Sequence, residues 1–172
     1  ETDPYYAAFN VLYYTGMRIG ELLALTVGDI DLEKKTVSIT KTLHRTKKKD
    51  IITPPKTDRA NRTVTLPLFL CDILKTHISR IYAPEKDTLV FLHSKSSYLY
   101  KIKHHAVTAG IKPIRIHDLR HSHASLLIEL GFSALLVSER LGHENVSTTL
   151  NIYAHLFPSK QTEVADRLDK LK

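Results

Sequence analysis

A single cysteine, Cys71, stands among 172 residues, so the chain builds no disulfide framework and lacks the paired thiolates of a structural zinc site. No apolar run approaches the roughly 18 to 20 residues that a membrane-spanning helix requires. The N-terminus lacks the charged-then-apolar succession of a secretory signal. These absences lead to the expectation of a soluble cytoplasmic protein in a reducing compartment, with no membrane partner. Internal repeats, low-complexity tracts and internal linkers are absent too. With 42% hydrophobic residues, the chain is long enough to bury one core and too short for a second full domain, so residues 1–172 are expected to form a single domain. The chain starts at Glu1 and its one methionine is Met17, which is expected of a fragment of a longer protein.

Charge is present but unevenly spread. The formal net charge is +7, and between Lys41 and Arg62 eight Lys or Arg face only Asp50 and Asp58. The remaining chain is nearly neutral. A focused basic segment is the footprint of a phosphate-backbone binder, because each neutralised phosphate releases condensed counterions. A solvated hairpin is the plain alternative. Candidate DNA contacts are Lys47, Lys48, Lys49, Arg59 and Arg62.

Asp3-Pro4 opens a helix that Thr15-Gly16 stops, giving a first helix over 4–14. A short helix follows over 21–25. Residues 29–32, 36–40 and 62–66 alternate like strands, forming a small antiparallel sheet whose longest connection carries the basic residues and Pro54-Pro55. From Pro67 onward the pattern turns helical, over 67–81, 97–109, 117–130, 133–141, 147–156 and 160–171. The fold class is therefore expected to be α+β, mainly α with a small antiparallel β-sheet.

Four short stretches carry chemistry. In His117-Asp118-Leu119-Arg120-His121, positions 117, 120 and 121 share one helix face. In Thr15-Gly16-Met17-Arg18-Ile19-Gly20-Glu21-Leu22 an arginine lies between two glycines at a helix junction, where a ligand can approach the backbone closely and a planar guanidinium can fork onto phosphate oxygens. Leu141-Gly142-His143 marks a helix end. Thr148-Thr149-Leu150-Asn151-Ile152-Tyr153-Ala154-His155 sets a tyrosine inside a short helix. Each has an innocent reading: a polar helix face, a surface arginine bridging to Glu21, a common helix stop, a core tyrosine with a satisfied hydroxyl.

Taken together and in order, these stretches resemble the tyrosine recombinase family, which includes the phage and conjugative-transposon integrases. The resemblance spans 16–156. It implies the catalytic-domain fold of that family and catalytic roles for Arg18, Lys56, His117, Arg120, His143 and the nucleophile Tyr153. Lys56 matches by its place in Pro54-Pro55-Lys56-Thr57-Asp58, although Lys47, Lys48 and Lys49 share the loop. The resemblance also implies N-terminal core-binding and arm-binding domains outside this chain. Its further implications are double-stranded DNA in a bacterial cell as the partner, and a homotetramer on DNA joined through a C-terminal tail helix over 160–172. After Tyr153, Phe157, Val164, Leu168 and Leu171 form one apolar stripe, for which packing on its own domain is the plain alternative.

The implied reaction is site-specific strand exchange that integrates or excises a mobile element. Tyr153 attacks a phosphodiester, giving a 3′-phosphotyrosyl link and a free 5′-hydroxyl. His117 is expected to accept the tyrosine proton, Lys56 to protonate the leaving oxygen, His143 to donate to the phosphate and His121 to support Arg120. No cofactor, metal or ATP is expected, since two arginines can grip the non-bridging oxygens and no carboxylate cluster suited to Mg²⁺ is evident. Relaxation of one duplex by the same cleavage chemistry, a DNA-binding module without catalysis, and a metallohydrolase built on His117 and His121 are the other readings.

Overall fold

The computed structural model describes residues 3–45, 49–55, 57–157, 165–166 and 168–169. Asp3 begins the chain's first helix as expected, its side-chain oxygen accepting the Tyr5 amide at 2.8 Å. Helix α1 (Tyr6–Thr15) then buries Ala7, Ala8, Val11, Leu12 and Thr15 along one face, the spacing of an amphipathic helix. It stops where Gly16 adopts φ 67° and returns its amide to the Leu12 carbonyl, a left-handed cap that glycine takes without a Cβ penalty. Helix α2 (Ile19–Leu23) starts two residues earlier than expected. The reason is local: extended Arg18 precedes it, and the Glu21 carboxylate accepts the Arg18 amide at 2.8 Å, closing the first turn.

Strands β1 (Ile30–Asp31) and β2 (Thr36–Ile39) follow, then β3 (Thr42–Arg45), β4 (Asp50–Thr53) and β5 (Arg62–Thr65). One antiparallel sheet has the order β1-β2-β5, with Val37 opposite Val64. Val37, Ile39 and Val64 all point into the core. The basic segment differs from expectation: instead of one long connection, its flanks pair as a second, two-stranded antiparallel sheet of β3 and β4, with Leu43 opposite Ile52. Charge and Pro54-Pro55 dominate the composition there, but Thr42, Leu43, Ile51, Ile52 and Thr53 are strand formers, and they prevail.

The helical half matches the expected segments with shifted ends. Helix α3 (Leu68–Ile78) follows Pro67, α4 (Lys95–Thr108) is capped by the Ser94 hydroxyl, and α5 (Asp118–Glu129) begins after His117. Helix α6 (Ala134–Leu141) is capped by Ser133 and ends at Gly142 with φ 69°, and α7 (Val146–Tyr153) runs directly into a 3-10 turn at Ala154–Leu156. Of the expected tail helix, residues 165–166 and 168–169 are helical, and the rest of 160–172, with Val164 and Leu171 of the apolar stripe, lies outside the described residues. The class is α+β, mainly helical, with two small antiparallel sheets rather than one.

Two apolar clusters form the interior. The larger holds residues such as Leu12, Leu22, Val37, Val64, Leu70 and Tyr98 from α1–α4 and the three-stranded sheet. The smaller joins Ala124, Leu127, Ile128, Val137, Leu141 and Tyr153 from α5, α6 and α7, with Phe157 packed against it. Buried polar side chains are unusual unless paired. Here Thr15, Glu21, Arg120, His123, Ser138 and Thr149 are all buried, and they lie on the elements that meet where the two clusters adjoin.

Candidate active site

Glu21 is the acidic hub. Its carboxylate takes the Arg18 amide and, at 2.8 Å, Arg18 Nη1, and it meets Arg62 Nη2 at 2.9 Å. Burial works against the charged form, but the hydrogen bond and charge of Arg62, helped by Arg18, hold this carboxyl below its ordinary value. Arg62 also donates from Nε to the Arg140 carbonyl and from Nη1 to the Ala60 carbonyl. All three of its nitrogens are engaged inside the protein and its side chain is 6% exposed. Arg62 was expected among the DNA contacts; the structure turns it inward instead, as the tie between β5, α2 and α6.

Arg120 is buried, donating from Nη1 to the Gly16 carbonyl at 2.6 Å and from Nη2 to the Leu141 carbonyl at 2.8 Å. Its fork is thereby fixed from two elements far apart in sequence. Gly16 is required for this: a Cβ there would lie 2.7 Å from both His123 Cδ2 and Leu141 Cδ2. Desolvation, then the charges of Arg18 and Arg62, lower the Arg120 guanidinium to about 9, which leaves it cationic at neutral pH. Arg18 is the open member of the set, 42% exposed. It lines a cavity of about 420 Å³ together with Glu21, His44, Thr57, Gly142 and His143. A neighbouring cavity of about 420 Å³ shares Arg18, Thr42 and His44 and reaches Lys95 and His117. Arg18 and Arg62 thus share one carboxylate, and with Arg120 near them, its charge felt by theirs, three guanidinium groups face a single acid, an excess of positive charge suited to an anion with several oxygens.

The second glycine of the sequence stretch has a different task. A Cβ on Gly20 would lie 2.7 Å from Thr42 Oγ1 and 3.1 Å from the Leu43 carbonyl, so its absence lets β3 pack on α2 beside Arg18.

His143 follows the α6 stop, and its Nδ1 lies 2.8 Å from the hydroxyl of fully buried Thr149. Burial, then Arg120, Arg18, Arg62 and His117, push this imidazole down to about 4. At neutral pH it is uncharged and carries one N–H.

Tyr153 ends α7 with 4% of its surface exposed. Burial raises the phenol above its ordinary value, and the Arg120 charge opposes this. The hydroxyl lies 2.6 Å from His121 Nδ1. His117 directly precedes α5 and is exposed, with its ring edge-to-face on His121 at 4.9 Å. Partial burial, then His121, Arg120, Arg18 and Arg115, hold His117 below the ordinary imidazole value. The sequence expectation linked His117 to the tyrosine and His121 to Arg120. The structure instead sets His121 against Tyr153, while Arg120 is held by carbonyls.

Arg18, His117, Arg120, His143 and Tyr153 are therefore drawn to one region by α2, α5, α6 and α7. Lys56, Lys47 and Lys48 lie outside the described residues. Lys49 is exposed beside β4, and exposed Arg59 donates from Nη1 to the Glu144 carbonyl at 2.9 Å. Sequence reasoning missed Thr149 and Arg140. Thr149 precedes Tyr153 by four residues and so shares its helix face, a signal that was readable. Arg140 donates to His123 Nε2, to the Tyr14 carbonyl and to the Thr65 carbonyl, contacts between distant segments that no local pattern announces.

Residues 3–160 match the model of the phage integrase family. ICEBs1 integrase of Bacillus subtilis (strain 168) is 35% identical over 179 residues, covering 95% of this chain and 48% of that protein. A tyrosine recombinase XerC-like protein of Caldanaerobacter subterraneus is 33% identical over 191 residues, covering 96% of this chain and 49% of that protein. The chain thus spans about half the length of these curated relatives. Among solved structures, the Tn1549 transposon integrase in complex with circular intermediate DNA superposes with a TM-score of 0.80 at 20% identity, over 98% of this chain and 60% of that one. At that identity the likeness is one of fold.

Proposed function

The chain belongs to the phage integrase family, and from that premise we propose that it is the catalytic domain of a site-specific DNA recombinase that integrates or excises a mobile element. The observation that carries this reading is the gathering of Arg18 and Arg62 on the single carboxylate of Glu21 beside Arg120, whose fork is fixed by the Gly16 and Leu141 carbonyls and whose charge acts on the Tyr153 phenol. A phosphodiester is a poor electrophile, so its cleavage requires charge neutralisation at the non-bridging oxygens. Arg18 and Arg120 supply it, His143 adds one neutral N–H, and His117 faces the phosphate from the neighbouring cavity. Tyr153 forms the new P–O bond, giving a 3′-phosphotyrosyl link. Lys56 protonates the departing 5′-oxygen. The ester conserves the bond energy, so a second 5′-hydroxyl reverses the step without a cofactor.

Lys47, Lys48, Lys49 and Arg59 contact the DNA backbone, on the strength of their charge and of the exposure of Lys49 and Arg59. The working form is a homotetramer on DNA in the bacterial cytoplasm, each tail docking on a neighbour. Exposed Phe132, Leu135, Leu136, Leu150 and Ile152 on and around α6 and α7 support this by offering an apolar seat. Among the described residues, no helix is long and apolar enough to cross a membrane. The test is incubation of the full-length protein with nicked duplexes carrying its element's ends, in excess chelator, followed by a denaturing gel. A protein–DNA adduct that Tyr153→Phe abolishes is expected; no adduct with the unmutated protein overturns the reading.

A further inference from the structure

Resting on the strand-transfer reading, we propose that His121 is the group that orients the Tyr153 phenol and receives its proton during attack. A general base must stand within hydrogen-bond reach of the group it deprotonates, about 2.6 to 3.2 Å between heavy atoms. Among the described residues, His121 is the side chain that meets this condition, its Nδ1 lying 2.6 Å from the hydroxyl. The contact joins residues 32 positions apart, so it depends on the packing of α5 against the end of α7 rather than on local sequence.

The phenol needs such a partner. Tyr153 is 4% exposed and burial disfavours its phenolate, so attack at neutral pH calls for proton removal as the bond forms. His117 is placed differently. It lies one helical turn before His121, its ring edge-to-face on the neighbour at 4.9 Å, and it lines the cavity that holds Arg18, Lys95 and His44. The two imidazoles divide the work: His117 faces the anion side and His121 the nucleophile. The titratable and charged groups set against His121 are His117 and Asp118 from its own helix and Tyr153 from α7. Asp118 is held by Arg115 at 2.9 Å, which leaves Tyr153 as the hydrogen-bond partner of Nδ1.

The step balances. The bond from phosphorus to the Tyr153 oxygen forms as the P–O5′ bond breaks, and the phenolic proton moves to His121 Nδ1, giving an imidazolium. The departing 5′-oxygen takes its proton from a separate acid, Lys56 in the reading above. On rejoining, the incoming 5′-hydroxyl gives up its proton to that acid's conjugate base, and the imidazolium returns its proton to the departing phenolate. The resting ring must therefore carry its proton on Nε2 and present a bare Nδ1.

Single-turnover cleavage of a nicked duplex by the full-length protein tests this, with the variants His121→Asn, His121→Ala and His117→Asn. The Asn side chain can accept a hydrogen bond near the place of Nδ1 but takes no proton. His121→Asn should bind DNA as the unmutated protein does and form adduct roughly 10² to 10⁴-fold more slowly. Its rate should also climb about tenfold per pH unit above neutrality, as direct phenolate attack requires, a slope the unmutated protein should not show. His117→Asn should not acquire that slope. Cleavage by His121→Asn within about threefold of the unmutated rate and with the same pH dependence overturns the proposal. No adduct from the unmutated protein overturns the strand-transfer reading itself, which separates the two failures. Nitrogen-15 NMR of histidine-labelled full-length protein provides a readout independent of activity: a bare Nδ1 on His121 is expected, and an Nδ1 that carries the proton and donates to Tyr153 overturns the proposal.

Discussion

Arg62 Nη2 lies 2.9 Å from the Glu21 carboxylate, with the two side chains only 6% and 4% exposed. Removing one partner of such a pair strands a buried charge, at a cost of about 3 to 5 kcal/mol. Arg62→Ala should therefore lower the urea midpoint of the domain strongly, whereas Arg59→Ala, at an exposed side chain, should leave it nearly unchanged. The pH dependence follows from the direction of the shift. Pairing outweighs burial and lowers Glu21 from its ordinary 4.5, so its stabilisation is complete above that value and is lost as pH falls through the folded value. Arg62→Ala should remove this acid-side loss. An unfolding curve unchanged by Arg62→Ala would contradict the hub role.

Thr149 Oγ1 lies 2.8 Å from His143 Nδ1, and the expected arrangement has the hydroxyl donating, which would leave the single N–H on Nε2, available to a phosphate. Thr149→Val keeps the shape and removes the hydroxyl, so the N–H should lose its fixed place on Nε2 and cleavage should slow, while the unsatisfied buried imidazole should cost about 1 to 3 kcal/mol of stability. DNA affinity should hold, and Thr149→Ser should restore the rate. Equal rates for all three would show that the hydroxyl plays no part.

Nonspecific DNA affinity should depend on the basic hairpin. Neutralising Lys47, Lys48, Lys49 and Arg59 should flatten the plot of log affinity against log salt by about 0.9 for each phosphate that no longer meets a cation. Inward-facing Arg62 should make no such contribution. A slope unmoved by the four substitutions would remove them from the interface.

The assignment of Lys56 as the acid is tested by sulfur substitution. Lys56→Ala should slow cleavage of ordinary DNA by roughly 10² to 10⁴-fold. With sulfur in place of the bridging 5′-oxygen, the leaving thiol has a pKa of about 8.5 and needs no proton, so Lys56→Ala should match the unmutated protein. Arg18→Ala and Arg120→Ala should remain slow on both substrates, because the charge they meet lies on non-bridging oxygens. Continued impairment of Lys56→Ala with sulfur would move the acid role elsewhere, first to Lys47, Lys48 or Lys49.

What was legible in the sequence follows from how local each signal is. Gly16 and Gly142 announce helix stops, and both adopt positive φ, while the 3.6-residue spacing marks α3 to α7. The hairpin of β3 and β4 was hidden because five strand-forming residues flank a run of charge, and the close approach of β3 to Gly20 is a tertiary contact that no local pattern announces. The inward turn of Arg62 was equally hidden. Its partners Glu21 and Arg140 lie 41 and 78 residues away, and nothing in a basic stretch distinguishes the one arginine that meets a buried acid. The contact of His121 with Tyr153 is hidden in the sequence for a related reason: helical spacing places His121 beside His117, but only tertiary packing brings it to Tyr153.

The identity and polarity of the covalent link test the central claim most directly. The full-length protein is trapped on a nicked duplex in excess chelator, the adduct is digested, and the nucleotide-bearing peptide is sequenced by mass spectrometry. The account requires a peptide in which Tyr153 carries a 3′-phosphate and a partner strand ending in a free 5′-hydroxyl. A link through another residue, or attachment to a 5′-phosphate, would contradict it.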